Sequence, residues 1–199
     1  MQCFNKSYIK TLLFYEMEEK NLLRKEIAAR KKRFSSEQLY QWSSEIMRKL
    51  SATSLFQQAN CVAIYHALPQ EVQTATFIEE WYTQKKIALP VVQEEQLLFL
   101  PYTGKLSVHT GSFGITEPIL TENSKNIESE IDLIVVPGVA FDRQLNRMGR
   151  GGGFYDRLFS QLDVPKIGIC FDFQLFLQIP TEAFDKKMDL IITEKEIIE

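Results

Sequence analysis

The sequence predicts an α/β protein: a three-layer α/β/α sandwich around a mainly parallel sheet. Three observations lead there. Short apolar runs rich in β-branched residues recur at 61–68, 86–92, 131–141, 166–171 and 188–194, with the near-continuous hydrophobicity of strands buried on both faces. Segments of helical period lie between several of them, the alternation that places helices on the faces of a parallel sheet. The chain has 199 residues, 45% hydrophobic and 25% charged, enough for one well-buried core and close to average globular composition. Residues 1–199 are therefore read as one domain.

Taken in order, Leu22, Leu23, Ile27 and Ala28 fall at helical spacing among charges, predicting an amphipathic helix from about Tyr15 to Arg33. Ser35 with Gln38 fits a capping box opening a second helix, with Leu39, Trp42, Ile46 and Leu50 as its buried stripe. "CVAIYHAL" (61–68) reads as a buried strand. Thr74 then suits the N-cap of a helix turning Phe77, Ile78 and Trp81 inward, and "KIALPVV" (86–92) returns as a strand. That is a βαβ unit, whose crossover is expected to be right-handed. "LLFLPY" (97–102) is a further strand candidate, and "VHTGSFGITEP" (108–118) reads as a loop because of its turn formers. "IDLIVVPGVAF" (131–141) is the clearest strand. "FYDRLFSQL" reads as a helix, "KIGICF" (166–171) as a strand and "MDLIITE" (188–194) as the last strand.

The totals exclude several classes. A formal net charge of −3 argues against a protein that holds duplex nucleic acid by broad phosphate neutralisation. The basic residues Lys20, Arg24, Lys25, Arg30, Lys31, Lys32 and Arg33 are interleaved with acids and read as a solvated helix face. Cys3, Cys61 and Cys170 have neither disulfide nor zinc spacing. In apolar runs, Cys61 and Cys170 read as buried, reduced thiols. The first residues lack a signal-peptide pattern, and no stretch approaches the about 20 apolar residues of a membrane span. A cytoplasmic protein is expected.

Function concentrates in "NRMGRGGGFYDRLF" (146–159), which packs four glycines and two arginines ahead of an apolar run. It is either a surface turn or an anion cradle. Glycines let backbone N–H groups approach a phosphate, the start of the following helix adds unsatisfied donors, and Arg147 and Arg150 can grip phosphate or carboxylate bidentately. The pattern GxxxxGK followed by Ser or Thr is absent, and the spacing is not GxGxxG after a first strand. P-loop and nicotinamide-type sites are thereby disfavoured. Asp156 can offset the helix dipole or, beside a triphosphate, hold magnesium.

"VVPGVAFDRQLNRMGRGGGFYD" (135–156) resembles the signature of the 5-formyltetrahydrofolate cyclo-ligase family. Further family landmarks follow in order: "KNLLR" at 20–24, "QEVQT" at 70–74, "ALP" at 88–90, "FGITEP" at 113–118 and "IPTEAFDKKMDLIITE" at 179–194. They run from Lys20 to Glu194, leaving residues 1–19 as an N-terminal extension without an assigned role. The resemblance implies a Rossmann-like sandwich and ATP-driven cyclisation of 5-formyltetrahydrofolate to 5,10-methenyltetrahydrofolate, releasing ADP and phosphate, with magnesium (Mg²⁺) as cofactor.

By the same resemblance, Lys20 and Arg24 contact ATP phosphates, and Arg147, Met148, Gly149, Arg150, Gly151, Gly152, Gly153, Phe154 and Tyr155 form the nucleotide loop. Arg150 and Tyr155 take the catalytic role. Arg150 to Phe154 also border the folate, with His66 lining its pocket and Glu71 binding the pterin. Asp156 and Asp185 match the magnesium carboxylates. The implied partners are ATP and 5-formyltetrahydrofolate, with no nucleic acid or membrane, for a monomeric protein. Three positions depart from common family residues: Phe184 replaces a histidine of many relatives, Gly152 a lysine of some, and Phe154 a frequent tyrosine. Rival classes are a non-catalytic regulator that keeps a nucleotide or folate pocket, and a sugar-phosphate isomerase or acyl-transferase relative that needs no ATP.

Overall fold

A computed structural model of the protein describes residues 6–111, 116–182 and 185–199, with side chains from Met17 onward. Helix α1 (Lys6–Lys31) starts well before the expected Tyr15, because nothing between residues 6 and 31 breaks a helix: neither glycine nor proline occurs there. Leu23 and Ile27, four apart, turn inward as expected, but Leu22 is left exposed. α2 (Ser36–Ala52) opens on Ser35, whose Oγ accepts from Gln38 N at 3.2 Å. Among the described residues only the serine half of the expected capping box forms. The short α3 (Ser54–Gln58) follows.

Strand β1 (Cys61–Ile64), helix α4 (Ala75–Trp81) and strand β2 (Lys86–Gln93) form the expected unit, with β1 and β2 parallel. Thr74 departs from its expected role. Its backbone is already helical, and its Oγ1 donates to Tyr65 O and accepts from Ala67 N. The side chain therefore fastens the loop after β1 instead of capping α4. β3 (Gln96–Pro101) returns antiparallel to β2. The 108–118 segment is more than a loop: β4 (Val108–Thr110) and β5 (Thr116–Pro118) pair antiparallel. β-Branched residues flank the turn formers there and supply the ladder.

The 131–141 run splits in two. β6 (Leu133–Pro137) stays in the main sheet, while β7 (Ala140–Asp142) joins β8 (Arg147–Met148) in a smaller one. Between them, Gln174 Nε2 donates to the carbonyls of Gly138 and Val139 and so satisfies the break. α5 (Phe154–Phe159), β9 (Lys166–Ile169), β10 (Leu175–Phe176), β11 (Leu190–Ile192) and β12 (Ile197–Ile198) complete the chain. β11 is thus followed by one more strand, antiparallel to it.

The main sheet is ordered β12-β11-β9-β6-β1-β2-β3, parallel from β11 to β2 with antiparallel edges. Alternation along each strand divides its side chains between two cores. Val62, Ile64, Ile87, Leu89, Leu133, Val135, Ile167 and Ile169 pack with α2, α3 and α4 on one face. Ala63, Ala88, Ile134, Val136, Cys170 and Ile191 pack with Leu158 and Phe159 of α5 and with Phe141 on the other. Three layers result. α1 closes the small sheet, with Leu23 against Ala140, Met148 and Ile179. Cys61 and Cys170 are buried free thiols, and burial pushes the Cys61 pKa up to about 11.

Phe141, fully buried, lies where a Cβ on Gly168 would stand 2.5 Å from its ring. Gly168→Ala should therefore destabilise the protein by about 1–3 kcal/mol through overpacking, read as a lower urea midpoint. Combining it with Phe141→Leu should recover part of that loss, and a wild-type midpoint for the single variant would contradict this packing.

Candidate functional site

In parallel sheets, ligands collect outside the carboxyl ends of strands where the strand order reverses. Here that point lies between β1 and β6: the chain leaves β1 toward β2 on one side, then returns to build β6, β9 and β11 on the other. A cavity of about 780 Å³ opens there, lined by Tyr65 and His66 after β1 and by Pro137 and Gly138 after β6. The loop after β8, the start of α5, one face of α1, and Glu182 and Asp185 add to its walls. Its volume is in the range of small-molecule and cofactor sites.

The cavity gathers residues far apart in sequence. Lys20, Arg24, His66, Glu71, the whole stretch from Arg147 to Asp156, and Asp185 all line it. The glycine loop is pinned at both ends. Arg147 Nη2 donates to both Asp156 oxygens at 3.1 Å, and its guanidinium lies 5.4 Å from the Tyr155 ring centroid. The Arg147 side chain is 3% exposed, and its Nε has no partner among the described residues. Between these ends Gly151 and Gly153 have φ of +102° and +68°, values that strain any side-chain-bearing residue. α5 is only 6 residues long, so its dipole is a minor source of positive potential. The arginines and lysine carry most of it.

Each cation is held by a definite partner. Lys20 is buried, not on a solvated face, and bonds Glu182 Oε2 at 2.5 Å and Asp185 Oδ2 at 3.1 Å. Burial works to lower its pKa, but the hydrogen bonds and charges of those two carboxylates outweigh it and raise the value. Arg24 Nε donates to Gly149 O at 3.1 Å, joining α1 to the loop. Arg150 reaches across to Glu71, Nη2 to Oε1 at 2.8 Å. The other Glu71 oxygen accepts from Leu68 N at 3.0 Å. His66 has its pKa lowered by burial, only partly offset by Glu79, and its Nδ1 is buried with no hydrogen-bond partner among the described residues. At neutral pH it is an uncharged ring with an unused nitrogen.

Sequence reasoning missed Tyr65, Pro137, Gly138, Val92, Leu97, Arg157 and Glu182 as lining residues. Glu182 lies inside the "IPTEAFDKKMDLIITE" landmark, three residues before Asp185, and that position was the available signal. Val92 and Leu97 offered none, since only the turn from β2 into β3 brings them to the cavity. Phe184 lies outside the described residues. Among the described residues no cluster of three or more His, Cys, Asp or Glu side chains forms a closed metal cage. Asp156 and Asp185 instead suit a cation bound chiefly through phosphate oxygens and water. Asp185 Oδ2 accepts from both Lys20 and Glu182 N, and Oδ1 makes no hydrogen bond among the described residues.

Burial separates the two loop arginines. Arg147→Met leaves Asp156 without its buried partner and should cost on the order of 3 kcal/mol. Arg150→Ala removes a guanidinium that is 62% exposed and should cost less than about 1 kcal/mol. Urea denaturation of both variants checks this, and equal losses would contradict the assigned roles.

The model of the 5-formyltetrahydrofolate cyclo-ligase family matches residues 16–194. The chain is 28% identical over 180 residues to the 5-formyltetrahydrofolate cyclo-ligase of Escherichia coli K12, covering 87% of this chain and 99% of that protein. It is 35% identical over 136 residues to the Haemophilus influenzae enzyme of the same name, covering 64% and 72%. Among solved structures, the Aquifex aeolicus 5,10-methenyltetrahydrofolate synthetase superposes with a TM-score of 0.81 at 31% identity, over 90% of this chain and 92% of that one. That of Mycoplasma pneumoniae gives 0.70 at 26%, over 88% and 99%. The match to the family model spans nearly the whole described chain, glycine loop and cavity included, and the chain belongs to the 5-formyltetrahydrofolate cyclo-ligase family.

Proposed function

We propose that the protein is an ATP-dependent 5-formyltetrahydrofolate cyclo-ligase, forming 5,10-methenyltetrahydrofolate and releasing ADP and phosphate. One observation carries the reading beyond family membership. The glycine–arginine loop and Glu71 line the same cavity and touch through Arg150. A phosphate gripped by the loop and a pterin held at Glu71 would be neighbours.

The chemistry asks for such a site. A formamide oxygen is a poor leaving group. Attack of that oxygen on the γ-phosphorus expels ADP and leaves an iminium phosphate; N10 then attacks the formyl carbon, loses its proton, and phosphate departs with the oxygen. The protein's task is positioning and charge neutralisation, as in other phosphoryl transfers. No side-chain nucleophile is required.

In this reading Arg150 neutralises charge on the transferring phosphoryl group, and the backbone of Gly149 to Gly153 lies along the phosphates. Lys20, Arg24 and Arg147 supply the remaining positive charge, and Tyr155 and Phe154 wall the reacting end. Glu71 accepts hydrogen bonds from the pterin. His66, neutral and with a ring nitrogen that has no partner among the described residues, lines the folate side. Asp156 and Asp185 would hold magnesium, which supplies charge neutralisation on the phosphates when bound. Residues 1–199 are read as one domain acting as a cytoplasmic monomer. Within the N-terminal extension, residues 6–19 are the first turns of α1.

The pure protein mixed with ATP, magnesium and 5-formyltetrahydrofolate should show rising near-ultraviolet absorbance from the methenyl product, together with phosphate release. Folded protein that binds both ligands without turnover would contradict catalysis. Arg150→Ala should lower kcat/KM by about 10²-fold, the scale of losing one charge-stabilising donor, while the fold is kept. Unchanged kinetics would reject its role.

A further inference from the structure

Among the paired cations of the cavity, Arg150 is held differently from the rest. Lys20 sits between two carboxylates at 10% side-chain exposure, and Arg147 is 3% exposed. Their ion pairs are sheltered from water and expensive to break. Arg24 is anchored on the Gly149 carbonyl. Arg150 is 62% exposed and has a single side-chain partner among the described residues, Glu71, which is itself 13% exposed.

The two ends of this contact also differ in freedom. The Glu71 carboxylate is fixed through its second oxygen by Leu68 N within the turn that follows β1. Arg150 stands between Gly149 and Gly151, the latter at positive φ, on backbone that resists rotation least. Glu71 is therefore the fixed post and Arg150 the swinging arm, and the arm rests on the group that the folate needs.

We infer that the Arg150–Glu71 ion pair couples the two ligand sites. With the cavity empty, Glu71 holds Arg150 away from the phosphate position. A folate whose pterin donors take the Glu71 carboxylate releases the guanidinium, and the triphosphate then captures it. Folate and nucleotide consequently bind with positive cooperativity, each raising the affinity of the other by the same factor. An exposed pair of this kind contributes little, so the coupling is modest, about two- to five-fold. This inference rests on the proposed roles of Glu71 and Arg150.

Calorimetry on the full chain, with magnesium and a non-hydrolysable ATP analogue, tests it. In the wild type, saturating 5-formyltetrahydrofolate should tighten nucleotide binding by about two- to five-fold. Glu71→Gln keeps an oxygen for Leu68 N while removing the charge. It should bind nucleotide alone more tightly than wild type by a similar factor, with no further gain from saturating folate. Arg150→Ala, at an exposed position, should bind nucleotide more weakly and show no gain from folate.

Nucleotide affinity that is the same with and without folate in the wild type would overturn the coupling while leaving the proposed function intact, since both ligands still bind. So would a gain from folate that survives in Arg150→Ala, a comparison that does not depend on Glu71→Gln folding well. A wild-type protein that binds neither ligand would instead overturn the proposed function, and the coupling with it.

Discussion

The buried ion pair between Arg147 and Asp156 is the constraint on which the site depends. Arg147 ends the turn back into β8 and Asp156 lies in the first turn of α5, so the pair pins both ends of the eight-residue span 148–155, which includes four glycines. Left unpinned, that span would be the least ordered part of the wall, because glycine loses the most conformational freedom on ordering. Fixed at both ends, it becomes a length of accessible main chain along one side of the cavity. The same pinning presents Arg150 at the outer part of the loop, where it reaches Glu71. A charge pair of this kind adds little net stability; its contribution is to give the loop one shape.

The sheet sets where that loop must stand. β1 and β6 are adjacent and parallel, and the chain leaves them in opposite directions. The loops that follow them therefore diverge and leave a crevice that side chains from α1, with Glu182 and Asp185, wall in. Lys20 unites those two walls through Glu182 and Asp185. Arg24 ties α1 to the glycine loop through Gly149. The cavity is thus a ring of ion pairs and backbone contacts closed over a hydrophobic platform. Among the described residues, its lining cations, Lys20, Arg24, Arg147, Arg150 and Arg157, exceed its carboxylates, Glu71, Asp156, Glu182 and Asp185, by one charge.

Much of this was legible in the sequence, for identifiable reasons. The apolar runs that became β1, β2, β6, β9 and β11 could not be left in water, so their place in a buried parallel sheet followed from composition alone. Where local signals competed, the reading failed. The run at 131–141 looks like one strand because its residues after Asp132 carry no polar side chain, yet the close approach of Gly138 to the Phe141 ring and the bonds from Gln174 divide it between two sheets. Thr74 had the right residue type for a cap, but tertiary contacts to Tyr65 and Ala67 took its hydroxyl. The glycine loop and its arginines stand out in the sequence as a candidate anion cradle, and in the structure they line the cavity. What no sequence pattern states is which charge pairs with which: the burial of Lys20 and the reach of Arg150 to Glu71 arise only when elements distant in the chain meet.

The central claim is that the cavity accepts a triphosphate along the pinned glycine loop. A crystal structure with magnesium and a non-hydrolysable ATP analogue tests it most directly. The phosphates should lie against the backbone of residues 149–153, with Arg147 still on Asp156. Nucleotide bound elsewhere on the molecule, with the loop side of the cavity left to solvent, would contradict the account.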